Sequence, residues 1–246
     1  MRQFRVGPGD GIYPAGLDER GKTFGVGSFG LQVTDEEGRK LFLTAAHVVG
    51  SLSPAHGNDP IEVCLRVGAG AAGSGDPVIG HVLKSSPEEP TDQVLLDASL
   101  VLATDNVGLS AVVRDTICSK RPRDLYEAMD FIPVFKRGTR SGLTSGLLDP
   151  TPVTARVDLG RADGRTFRYE EGWWVEGDAK PFAQAGDSGA IVIDGDDCVI
   201  GMVVAVDSEN MADPKPTDRA FVIPIAGLIE GLEIALVGPD RPCTLA

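Results

Sequence analysis

From Phe24 onward the chain repeats short runs of alternating or continuously apolar residues, broken by clusters of Gly, Pro, Asp and Asn. A period of two puts every second side chain on one face of an extended strand, so alternating runs read as half-buried strands. Short wholly apolar runs read as strands covered on both faces. The pattern predicts a first set of strands at 27–34, 40–46, 61–67, 78–83 and 99–104. A second set follows at 132–137, 145–148, 153–158, 166–170, 190–193, 199–206 and 221–225. Between them lies a polar, proline-containing stretch, 114–130, which reads as a linker joining two β-rich halves. Asp35-Glu36-Glu37-Gly38 suits a hairpin turn between two of the first strands, and the Gly/Ala run 68–75 reads as a flexible loop. Only near the C-terminus does the period change: Ile225, Leu228, Ile229 and Leu232 have helical spacing and predict one helix over 225–236, docked on the second half.

Composition narrows this picture to an all-β protein. With 246 residues, 42% of them hydrophobic, the chain is long enough to bury a substantial core, and all-β barrels of this size commonly fold as one unit. The expected organisation is a single domain, 1–246, with the first half at 22–113 and the second at 131–225. Abundant glycine (31) and proline (17) fit many short strands joined by tight turns. Acidic residues outnumber basic ones, 36 to 23, and the resulting charge of −13 argues against nucleic acid and anionic membrane surfaces as partners. The longest strand-like apolar run, Val199–Val206, has eight residues, far fewer than the roughly 20 that span a bilayer. No secretory signal is visible at the start, so the expectation is a soluble, cytoplasmic protein. Cys64, Cys118, Cys198 and Cys243 form no C-x-x-C pair, and reduced thiols fit that setting.

Candidate chemistry centres on Ser188, which sits in Gly186-Asp187-Ser188-Gly189-Ala190 just before a predicted strand. Glycines on either side let the backbone turn tightly and approach a bound carbonyl. A serine hydroxyl is a poor nucleophile until a base takes its proton, and the chain has three histidines: His47, His56 and His81. His47 ends an apolar strand in Leu43-Thr44-Ala45-Ala46-His47, whereas His56 lies in a polar loop and His81 alternates within a strand, so His47 is the candidate base. Such a base needs a carboxylate held out of bulk water to fix its tautomer. Asp97 follows Val94-Leu95-Leu96 and precedes Ala98-Ser99-Leu100-Val101, an unusual place for an uncompensated charge. Asp92, beside Pro90, Thr91 and Gln93, is the weaker alternative.

TAAHVV around His47, DASLV around Asp97 and GDSGA around Ser188 resemble the three signatures of trypsin-like serine peptidases, in the family's order. The intervals, 50 residues from 47 to 97 and 91 from 97 to 188, are similar to those of the compact bacterial members, and 134–146 resembles the strand opening the second barrel in bacterial and plant relatives. The resemblance implies two antiparallel β-barrels of the chymotrypsin type with a His47–Asp97–Ser188 triad in the cleft between them. It implies an oxyanion hole from the N–H groups of Gly186 and Ser188, and a substrate pocket with Phe182 at its base and Val206 in one wall. It also implies an ion pair between Lys136 and Asp187, with Arg140 as the alternative cation. Neither Phe182 nor Val206 supplies a charge, so small or medium uncharged side chains are expected before the scissile bond. The expected function is a serine endopeptidase acting on protein or peptide substrates, stand-alone and intracellular, its substrate a single partner protein in a regulatory or defence setting. A triad-bearing esterase and a noncatalytic interaction scaffold are the rival readings.

Trp173-Trp174 suits core or interdomain packing better than substrate contact. Asp194-Gly195-Asp196-Asp197 joins two strands and lacks the longer calcium-loop pattern, so it reads as a solvated hairpin; no metal or cofactor is expected.

Overall fold

The alternating runs pair into sheets in a computed structural model that describes residues 4–15, 25–49, 60–67, 75–86, 96–114, 117–123, 125, 128, 130–158, 166–206 and 219–240. The first half carries β1 (Phe4–Val6), β2 (Gly11–Pro14), β3 (Gly27–Ser28), β4 (Leu31–Thr34), β5 (Leu41–Thr44), β6 (Glu62–Leu65), β7 (Val78–Ser85), β8 (Ser99–Ala103) and β9 (Val107–Leu109). The second carries β10 (Ile132–Gly138), β11 (Gly142–Leu148), β12 (Ala155–Asp158), β13 (Thr166–Tyr169), β14 (Trp173–Gly177), β15 (Ile191–Asp194), β16 (Val199–Val206) and β17 (Arg219–Pro224). The helix α1 (Ile225–Leu232) and a short β18 (Ala235–Leu236) follow. Of the other sequence expectations, His56, Asp92, Cys243 and most of the 68–75 loop lie outside the described residues.

Strands β10, β11, β14, β17, β16 and β15 close into a six-stranded antiparallel barrel, sealed where β15 pairs back onto β10. The first half is an eight-stranded antiparallel sheet in the order β18-β4-β5-β8-β7-β6-β2-β3. It takes in β2 and β18 from outside the 22–113 range. Beside these sheets lie a parallel β1–β9 pair and a separate two-stranded ribbon, β12–β13.

Why β16 breaks the period-two rule is visible in the core. Ile200 and Val203 point, with Val134, Leu148, Val175, Val192 and Val222, into a cluster to which every barrel strand contributes. Met202 and Val204 belong to the larger cluster, with Phe29, Leu31, Leu43, Leu100 and Phe221, which joins the barrel's outer face to the first sheet. A strand covered on both faces has no polar side to alternate. The two halves therefore share one apolar contact.

Four details differ from the sequence pattern. The run 27–34 is two strands, because Gly30 lies where an added Cβ would fall 2.5 Å from the Leu43 carbonyl oxygen and 2.7 Å from that of Gly189. The close crossing of three chain segments breaks the strand there. The helix stops at Leu232 rather than 236: Glu233 turns left-handed (φ 57°), Ile234 N–H returns to the Ile229 carbonyl at 3.1 Å, and Ala235 then pairs with Thr34. The acidic turn after β15 is solvated only at its tip, Gly195 and Asp196. Asp194 is 1% exposed and Asp197 6%; Arg123 reaches Asp194 at 2.6 Å and Arg114 reaches Asp197 at 2.7 Å, so the stretch read as a linker is pinned to the second barrel. The cysteines also depart from a uniformly reduced set. Cys64 and Cys118 are free and buried, whereas Cys198 is disulfide-bonded.

Candidate active site

Strands β5 and β8 pair antiparallel with Thr44 opposite Ser99. The residues just past Thr44 and just before Ser99 therefore emerge at the same sheet end, and these are His47 and Asp97. His47 Nδ1 lies 2.5 Å from Asp97 Oδ2, and the His47 backbone N–H donates to Asp97 Oδ1 at 3.0 Å. Asp97 is fully buried, and a third donor, the Tyr169 hydroxyl, reaches Oδ2 at 2.9 Å. Burial alone would raise the Asp97 carboxyl; the His47 charge, the His47 ring and backbone hydrogen bonds and the Tyr169 hydroxyl outweigh it and hold the group below its ordinary value. A carboxylate so bound can fix the imidazole with Nε2 toward the cleft.

Ser188 lies on the loop before β15, and that loop packs on the strand end carrying His47. Gly189 is the contact: φ is +93°, and a Cβ there would meet the Ser28 carbonyl oxygen at 2.4 Å and Thr44 Oγ1 at 2.6 Å. Only glycine fits both the backbone conformation and the space. The Ser188 carbonyl accepts from Ser28 N–H at 2.8 Å, tying the loop to β3. Asp187, Gly189 and Ala190 send their N–H groups to the carbonyls of Gln184, Val203 and Asp187. Those of Gly186 and Ser188 donate to no acceptor among the described residues. The Ser188 hydroxyl itself donates to the Val204 carbonyl at 3.3 Å and not to His47.

Next to the serine, Asp187 turns into the interior and is fully buried. Its Oδ2 accepts from Lys136 Nζ at 2.9 Å, Ser141 Oγ at 2.6 Å and Gln184 N–H at 2.9 Å. Oδ1 accepts from the backbone N–H groups of Arg140 and Ser141 at 2.7 and 3.1 Å. Lys136 also donates to Ser141, and both members of the ion pair are fully buried. Burial pushes the Lys136 ammonium down, opposed by Asp187. Burial likewise pushes Asp187 up, but the Lys136 charge and the Ser141, Gln184 and Lys136 hydrogen bonds prevail and leave the carboxyl below its usual value. Arg140, the alternative cation, contributes through its backbone N–H.

Phe182 is fully buried in the barrel cluster, with its carbonyl held by the Thr144 hydroxyl at 2.7 Å, and Val206 packs half-buried against the same cluster. His81 lies away from this site, on β7 opposite Glu62 and Leu102. Trp173 is buried in the barrel and Trp174 meets Phe221 edge-on at 5.2 Å, so both tryptophans pack. Tyr169, Ser141 and Gln184 received no role from the sequence. A tyrosine at the end of a predicted strand carries no local mark that its hydroxyl reaches a carboxylate 72 residues away.

No family model and no curated sequence matches the chain. Among solved structures, it is similar to a protease from Nocardiopsis, at 18% identity over 94% of this chain and 98% of that one, with a TM-score of 0.61. It is similar also to protease A of Thermobifida fusca, at 16% identity over 95% and 100% of the two chains (TM-score 0.60). A third likeness is to a chymotrypsin of Cellulomonas bogoriensis, at 17% identity over 95% and 99% (TM-score 0.57). With its closed barrel, its facing sheet and its C-terminal helix matched across nearly the whole chain, the protein has the chymotrypsin-type fold of bacterial trypsin-like serine proteases.

Proposed function

We propose that the chain is a serine endopeptidase. The observation that carries this reading is the Asp97 carboxylate, bonded to the His47 ring at 2.5 Å and to its backbone at 3.0 Å, at the strand end on which the Ser188 loop rests. In the proposed reaction Ser188 Oγ turns from Val204 to His47, gives its proton to Nε2 and attacks the peptide carbonyl carbon. The oxyanion is received by the N–H groups of Gly186 and Ser188. Collapse breaks the C–N bond, His47 protonates the leaving amine, and an acyl ester remains on Ser188. Water, deprotonated by His47, then hydrolyses the ester. Loss of one oxyanion donor typically slows such a reaction on the order of a hundredfold or more. Lys136 and Asp187 would hold the Ser188 loop in its working shape, and Phe182 and Val206 would bound a pocket for small or medium uncharged side chains.

The turn of Ser188 toward Val204 favours a second reading, a noncatalytic scaffold that binds a protein partner. Labelling with a fluorophosphonate separates the two. The endopeptidase reading expects labelling of the wild type and none of Ser188→Ala or His47→Ala; a folded wild type that does not label excludes it. Comparing ester with peptide turnover then tells an esterase from a peptidase. No described helix is long and apolar enough to cross a membrane. The intracellular setting expected from the start of the sequence went with reduced cysteines, and the disulfide at Cys198 weighs against it. The proposed role is therefore defined by chemistry and not by compartment.

A further inference from the structure

Asp97 Oδ2 carries two donors from different halves of the chain. His47 approaches from the first sheet at 2.5 Å, and Tyr169 approaches from the β12–β13 ribbon of the second half at 2.9 Å. The phenol is not a loose surface group. Tyr169 is 1% exposed, Ala155 faces it across the ribbon, and its ring packs on Phe221 of β17 at 5.6 Å, which Trp174 meets edge-on. A buried hydroxyl needs an acceptor, and a buried carboxylate needs donors; here each answers the other. The ring's position is set by the second half, while the carboxylate it meets belongs to the first.

We propose that Tyr169 is a positioning residue of the active site: its hydroxyl fixes the Asp97 carboxylate against the His47 ring and tempers the pull of that carboxylate on the ring proton. This rests on the reading of His47, Asp97 and Ser188 as a catalytic unit. Of the titratable groups among the described residues, His47 and Tyr169 act on Asp97. Burial and the Asp97 charge together push the Tyr169 phenol far up, so it stays a hydroxyl and a donor throughout the working pH range. With the phenol present, Oδ2 divides its charge between two hydrogen bonds. Without it, Oδ2 serves the imidazole alone and holds the protonated ring more strongly, and the carboxylate keeps only its two His47 bonds against rotation. The ring would then give up its proton less readily when the acyl-enzyme forms and breaks.

The test is Tyr169→Phe in the full chain, which keeps the ring on Phe221 and deletes one oxygen. A hydrogen bond to a charged group predicts a kcat lower by about tenfold with KM changed by about twofold at most. The acid limb of the kcat/KM profile should move up by about half a pH unit. The low-field proton resonance of the His47 Nδ1–H should move further downfield, since its acceptor then serves one donor. Tyr169→3-fluorotyrosine, a more acidic and stronger donor, should move the acid limb and the resonance the other way. A folded Tyr169→Phe protein with lower thermal stability but unchanged kcat, acid limb and resonance would overturn the proposal and leave Tyr169 a packing residue. The resonance can be read in a Ser188→Ala background, where no turnover is needed. A shift there supports the role of Tyr169 even if the wild type fails to label with fluorophosphonate, and absence of the shift overturns it even if labelling succeeds.

Discussion

Replacing Lys136 by methionine removes the positive charge that touches Asp187 while keeping most of the side-chain volume. Both groups are fully buried, so the variant leaves a carboxylate in the interior with no counter-ion among the described residues. Breaking such a pair costs on the order of 3 to 5 kcal/mol. Two features set the expected loss at the low end. Asp187 keeps the Ser141 hydroxyl and the N–H groups of residues 140, 141 and 184, and the folded state no longer desolvates an ammonium that burial already disfavours. A loss of about 3 kcal/mol corresponds to about 6–12 °C in Tm for a domain of this length. Turnover should fall too, because Asp187 adjoins Ser188. The pH dependence has a definite sign. In the wild type the Asp187 carboxyl lies below its ordinary value, so its contribution to stability is present above the unfolded value, near about pH 4, and is lost on acidification. In Lys136→Met burial is no longer outweighed, the carboxyl moves up, and its protonation relieves the variant. The Tm gap between the two proteins should therefore be widest near neutral pH and narrow as pH falls toward about 4. Thermal scans over that range, with Asp187→Asn and the double variant completing a cycle, measure it. The double variant should lose less than the sum of the single ones. Fully additive losses, or a Lys136→Met protein with unchanged Tm and turnover, would refute the argument.

Three further outcomes are expected. His47→Ala, Asp97→Asn and Ser188→Ala should each abolish most peptide turnover while keeping the far-UV spectrum, and combining two should cost little more than one, since residues acting as a unit are not additive; near-normal turnover in Asp97→Asn would remove it from the unit. A positional-scanning peptide library should select small or medium uncharged residues before the cut, and a preference for Arg or Lys would contradict the placing of Phe182 and Val206 at the pocket. Gly189→Ala should destabilise the chain by about 3 kcal/mol or more through a left-handed backbone and a Cβ pressed on Ser28 and Thr44, and denaturant titration showing a loss below about 1 kcal/mol would mean the loop moves aside freely.

Much of this architecture was legible in the chain because periodicity is a local property. The strands β5, β8, β10 and β16 and the helical spacing after Ile225 follow from side chains that must face a core, whatever that core is made of. The candidate residues His47, Asp97 and Ser188 stood out for the same reason, each a polar group placed against an apolar strand end where it needs a partner. What local pattern cannot carry is pairing across distance. That β5 and β8 lie in the register that delivers His47 to Asp97, that Arg123 crosses to Asp194 and that Tyr169 reaches Asp97 from the other half depend on strand pairing and on how the two halves dock. A strand as short as β18 escaped the pattern because two residues have no period, and its pairing is decided by the neighbour it meets. Even the continuous apolar run of β16 stated only that both faces are covered. That one face looks into the barrel and the other onto the first sheet was decided by tertiary structure, because an apolar side chain specifies burial and not the partner that provides it.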